Sequence, residues 1–139
     1  MAFRSRRSRR RLRSGNWHPP FAITPSGAAR AGSPLAVITR YTGAVDVCWI
    51  GSDGAIATNW VNPQIDSGNW HTPFPVTSAG AARANSPLAA ITRLNGALDV
   101  FWIGPDGAIA TTWANPQIDH GNWHTGTESP GIGNSRLKH

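Results

Sequence analysis

The sequence predicts an all-β protein built from small antiparallel sheets, and three observations carry that expectation. Residues 15–67 align on residues 68–120 without a gap, with 38 identities in 53 positions. Each copy holds short runs of β-branched and aromatic residues punctuated by Ser-Pro, Gly or Asp-Gly, the composition of strands and turns. Neither copy shows the 3.6-residue apolar period of an amphipathic helix. A third copy opens at Gly121-Asn122-Trp123-His124-Thr125 and then diverges. Units repeated at this length stack on one another, because a single unit cannot bury its own apolar face.

Within a copy the elements follow in order. Leu35-Ala36-Val37-Ile38-Thr39-Arg40 and Leu88-Ala89-Ala90-Ile91-Thr92-Arg93 are short apolar runs after Ser-Pro, which predicts a first buried strand. Val45-Asp46-Val47-Cys48-Trp49-Ile50 and Leu98-Asp99-Val100-Phe101-Trp102-Ile103 predict a second. Asp53-Gly54 and Asp106-Gly107 then precede a third run ending in Trp60 or Trp113. Asp-Gly supplies positive φ, so each dipeptide is expected to close a tight primed hairpin. Asn-Pro-Gln-Ile-Asp reads as a polar excursion leading to a proline-containing stretch at 70–77, and prolines confine that stretch to a sheet edge. Four antiparallel strands per unit of about fifty residues match one blade of a β-propeller.

The expected organisation is therefore a disordered Arg-rich leader at 1–14, β-propeller repeats at 15–125, and a divergent tail at 126–139. Blade-like units fall at 35–77 and 88–125, with 17–24 as the outer strand of a preceding blade. Two blades do not close a ring. The chain is expected to be either a truncated propeller from a longer gene or a subunit that self-associates to complete one.

Charge is concentrated at one end. The net +6 comes from the seven arginines of the leader, Arg4 to Arg13, since the remaining six Lys and Arg face seven Asp and Glu. Such a run could contact polyanions weakly and with strong salt dependence. An export signal would need an apolar stretch after the arginines, and Gly15-Asn16-Trp17-His18-Pro19-Pro20 stands there instead. The single cysteine, Cys48, occupies the place of Phe101 in the next copy, which predicts a buried apolar role and no disulfide. No apolar run approaches the length of a membrane span.

The seven tryptophans recur at matched offsets: Trp17, Trp49 and Trp60, then Trp70, Trp102 and Trp113, then Trp123. An indole offers a flat apolar face for the C–H side of a sugar ring and an N–H donor for its hydroxyls. Trp60 and Trp113 end a strand beside a loop, and they are the leading binding candidates. Trp49 and Trp102 sit mid-strand among apolar neighbours, where packing competes with binding, and Trp70 lies near an edge. Arg30 and Arg83, with Ser33 and Ser86, stand before the first strand and could donate to hydroxyls. Most simply, Arg30 with Asp46 and Arg83 with Asp99 are expected to form an ion pair or a loop tie that holds the blade end. Asn62 and Asn115, with Gln64 and Gln117, add amides that both donate and accept. His18, His71 and His124 recur once per unit, too sparsely for a metal site in one blade.

The run Ala-Arg-Ala-(Gly/Asn)-Ser-Pro-Leu-Ala, followed by (Val/Leu)-Asp-Val-(Cys/Phe)-Trp-Ile-Gly-x-Asp-Gly-Ala-Ile-Ala-Thr and by Gly-Asn-Trp-x-x-Pro-Phe, resembles the repeat of the bacterial PLL-like lectins. The resemblance spans 15–125. It implies a seven-bladed β-propeller that binds fucose and O-methylated sugars, with glycans as partners and an extracellular setting. The expected function is thus a carbohydrate-binding, non-catalytic lectin module without cofactor or metal. A protein-interaction scaffold is the alternative. A glycosidase is disfavoured because hydrolysis usually needs two carboxylates in unlike environments. Here Asp46 and Asp99 are copies of each other, as are Asp53 and Asp106.

Overall fold

The computed structural model describes residues 17–40, 43–93, 96–116 and 122–124. The leader at 1–14 and the tail at 126–139 lie outside the described residues. Among the described residues two four-stranded antiparallel sheets account for almost all the regular structure. In the first, β1 (Leu35–Ile38), β2 (Val45–Ile50), β3 (Ile56–Val61) and β4 (Phe74–Pro75) lie side by side in chain order. The second repeats the pattern with β5 (Ala89–Ile91), β6 (Leu98–Ile103), β7 (Ile109–Ala114) and β8 (Trp123–His124). Between β3 and β4 the Asn-Pro-Gln-Ile-Asp stretch forms one helical turn, α1 (Pro63–Asp66). Asn62 caps it by accepting the Gln64 N–H at 3.0 Å, and Pro63 at the first position loses no needed donor. Among the described residues no helix is long and apolar enough to cross a membrane.

Register decides which side chains share a face. Ala36 stands opposite Cys48, Cys48 opposite Thr58, and Thr58 opposite Phe74. Because side chains alternate along a strand, Ile38, Ile50 and Ile56 point the same way. These residues form the inner face of the first sheet, and they pack on Leu98, Val100 and Trp102 of the second. In repeat-equivalent terms those three match Val45, Val47 and Trp49, which belong to the opposite face. The sheets therefore stack front to back, with unlike faces in contact. Ile50, Ile56, Leu98 and Val100 are fully buried there, each contributing about 1.5–3 kcal/mol by removal from water.

Cys48 lies in this core as a free thiol within 3.7 Å of the Thr58 hydroxyl. Burial is the main cause that pushes its pKa up to about 11.

The elements differ from expectation at three points. The hairpins at Asp53-Gly54 and Asp106-Gly107 are not two-residue primed turns. Ile50 pairs with Ile56 and Gly51 N–H donates to Ala55 O at 2.8 Å, leaving a three-residue loop. Only the glycines take positive φ, 84° at Gly54 and 85° at Gly107. The aspartates instead accept the Ala55 and Ala108 N–H groups through their side chains, each at 3.0 Å. Residues 17–24, expected as the outer strand of a preceding blade, pair with no strand among the described residues. Pro19 and Pro20 lack donors, and no described strand offers them a ladder. The stretch at 70–77 keeps strand geometry only at Phe74–Pro75.

Two outcomes check this packing. Ile56→Ala is expected to cost about 2–5 kcal/mol, read as a lowered urea midpoint with an unchanged slope. Cys48 in the folded protein is expected to alkylate about a hundredfold more slowly at mildly alkaline pH than in denaturant, measured by iodoacetamide labelling and mass spectrometry.

Candidate functional site

A pocket of about 310 Å³ opens at one end of the contact between the sheets. The first sheet supplies Arg40, Asp46, Trp60 and Phe74, and the residues after β3 add Asn62; Trp123 closes the pocket from the second sheet. Asp46 and Trp60 are direct partners across β2 and β3, so an acid and an indole sit side by side. The His71 ring stacks on Trp60 with centroids 3.5 Å apart and planes 13° from parallel. Both the His71 N–H and its Nδ1 lie 3.0 Å from the Trp60 carbonyl oxygen, which holds the imidazole in place. One face of the indole is thus taken by protein.

Asp46 is buried, and Arg40 Nε donates to its Oδ1 at 2.7 Å. Arg40 also reaches across to the second sheet, where Nη1 donates to Gly96 O at 3.2 Å. Desolvation pushes the Asp46 carboxyl above its ordinary range, and the Arg40 hydrogen bond and charge pull it only part of the way back. The second copy repeats the pair, with Arg93 forking onto Asp99 at 3.1 and 3.0 Å. A planar guanidinium beside a carboxylate offers donors and acceptors in fixed directions, which suits a ligand bearing vicinal hydroxyls.

The residues singled out by sequence divide sharply. Trp60 and Asn62 line the pocket. Trp49 and Trp102 do not: both are buried, and their Nε1–H groups donate to Ala28 O at 3.2 Å and Ala81 O at 3.0 Å. Ser33 and Ser86 accept the Ile50 and Ile103 N–H groups at 2.9 and 2.8 Å, tying the incoming loop to the second strand. Of the expected ion pair or loop tie, the ion pairs to Asp46 and Asp99 are made by Arg40 and Arg93 rather than by Arg30 and Arg83. Arg30 Nη2 instead donates to Arg83 O at 2.7 Å. Trp113 and Asn115 are buried, Trp113 stacking on His124 at 3.8 Å. Trp70 lines a separate, shallower groove with Phe21 and Pro73. Gln64 is exposed, and Gln117 lies outside the described residues.

Arg40, Phe74 and His71 are functional candidates that sequence reasoning passed over. The signal for Arg40 was present: it stands six residues before Asp46, as Arg93 stands before Asp99, which is the separation that spans a β1–β2 hairpin. Among the described residues no group of three or more His, Cys, Asp or Glu side chains could hold a metal. No protein-family model matches this chain, and no curated protein matches it.

Folding raises the pKa of Asp46, so the native state favours its protonated form. Its titration therefore supports stability below the ordinary carboxylate range and withdraws that support as pH rises through the raised value. Arg40→Ala is expected to cost about 3–5 kcal/mol at neutral pH by leaving a buried acid unpaired. The deficit is expected to shrink as pH falls through the raised Asp46 value and the acid takes a proton, as read from urea midpoints at neutral and acidic pH.

Proposed function

We propose that the two sheets are consecutive blades of a β-propeller lectin, and that the pocket at their seam binds a monosaccharide of the fucose or O-methylated type. The observation that carries this reading is the convergence of Trp60 and Trp123 with the Arg40–Asp46 pair and Asn62 around one cavity. The apolar C–H face of a deoxy or methylated sugar matches indole and Phe74, while its hydroxyls match the guanidinium, carboxylate and amide. The pocket's dimensions suit one ring rather than a chain of them.

The composition of the cavity favours binding over bond cleavage. Asp46 is the one carboxylate among the described lining residues, and its charge is engaged by Arg40. Hydrolysis would need a second acid across the glycosidic bond. Single-site affinity from so small an interface is modest, which is how lectins with repeated sites work once several engage one surface.

Isothermal titration of the purified chain with L-fucose and with O-methylated fucose is expected to show millimolar to micromolar binding. Trp60→Ala is expected to weaken it at least tenfold while leaving the circular dichroism spectrum unchanged. Binding that is indifferent to Trp60, or a chain that binds neither sugar, would remove this reading.

A further inference from the structure

We propose that the free face of the second sheet docks a second copy of this chain, head to tail, against the free face of that copy's first sheet. The argument is continuity with the interface already inside the chain. Ile56 faces the second sheet and is 0% exposed; Ile109, the same residue in the next repeat, is 80% exposed. On the other side, Leu88 and Ala90 are half-buried against the first sheet. Their equivalents Leu35 and Val37 are 66% and 57% exposed. Each free face lacks what the other presents.

The internal contact joins unlike faces, so it is heterologous, and a second chain can repeat it without steric novelty. An apolar pocket of about 230 Å³ opens beside Ile109, lined by Leu88, Ala89, Phe101, Trp102 and Ile103 among others. The polar ties have counterparts too. Arg40 crosses the internal seam to Gly96 O and its side chain is 15% exposed, whereas that of Arg93 is 39% exposed. In the docked pair Arg93 faces Gly43 of the second copy.

The strand edge points the same way. On β3, Ala57 and Thr58 pair with Pro75 and Phe74. On β7 the equivalent Ala110 and Thr111 pair inward with Trp102 and Phe101, but on the outer side the described part of β8 reaches only Trp113 and Ala114. The residues equivalent to Phe74 and Pro75 one repeat earlier are Phe21 and Ala22, and Phe21 is 73% exposed. Docking places Phe21 of the second copy opposite Thr111 and its Ala22 opposite Ala110, a strand added along the outer edge of β7. The seam so formed carries Arg93 and Asp99 where the internal one carries Arg40 and Asp46.

This docking rests on sheet packing and stands whether or not the pocket takes a sugar. The test is sedimentation velocity on the full chain without sugar, across the micromolar range. The wild type is expected to run as an oligomer of two or more chains. Val37→Glu and Ile109→Glu each spoil one exposed face, and each alone is expected to be a folded monomer by sedimentation and circular dichroism. Mixed in equal amounts, they are expected to form a two-chain complex, because each still carries one intact face. A monomeric wild type, variants that keep the wild-type mass, or a mixture that stays monomeric would overturn the proposal.

Discussion

The contact between the two sheets is made by unlike faces, and everything else in the molecule depends on it. The inner face of the first sheet is apolar through Cys48, Ile50 and Ile56, and the face it meets is apolar through Leu98, Val100 and Trp102. A single sheet of this kind would leave its apolar face in water. Stacking removes one face of each sheet from water and fixes their separation. The cavity at the end of the seam inherits that rigidity, because its walls continue the same strands that form the core.

The polar end of the seam works by a different balance. Asp46 loses its hydration on burial, and Arg40 restores only part of that loss. An ion pair in such a place adds little net stability compared with an apolar substitute. Its presence in the wall of a cavity, with the guanidinium also holding Gly96 across the gap, gives directionality where a hydrocarbon would give none. The loops are handled more economically. Each Asp-Gly turn satisfies its backbone with one side-chain acceptor and one glycine of positive φ.

Much of the architecture was legible in the chain because alternation and punctuation are local. The runs beginning at Leu35, Val45 and Ile56 are strands, and their copies repeat them. Relations across the fold were harder to read. Arg30 and Arg40 both lie near β1, and composition does not tell which one reaches Asp46; the hairpin register does. Trp49 and Trp60 look alike in sequence, yet one falls on the face covered by the loop at Ala28 and the other on the seam. Residues 17–24 resemble 70–77 closely, but a strand is defined by its neighbour, and similarity to a paired segment does not create a pair. The sharing of the Trp60 face with His71 carried no signal beyond the eleven-residue spacing of the two.

The exchange of Cys48 for Phe101 has a consequence for any longer array. These side chains occupy equivalent points on successive sheets, one small and one bulky, and each lies on the face that receives the following sheet. Stacked units of this kind would have alternating gaps, narrow beside sulfur and wide beside the phenyl ring. A periodic stack of such units would thus have a true repeat of two sheets rather than one, and the cavities along it would come in two sizes.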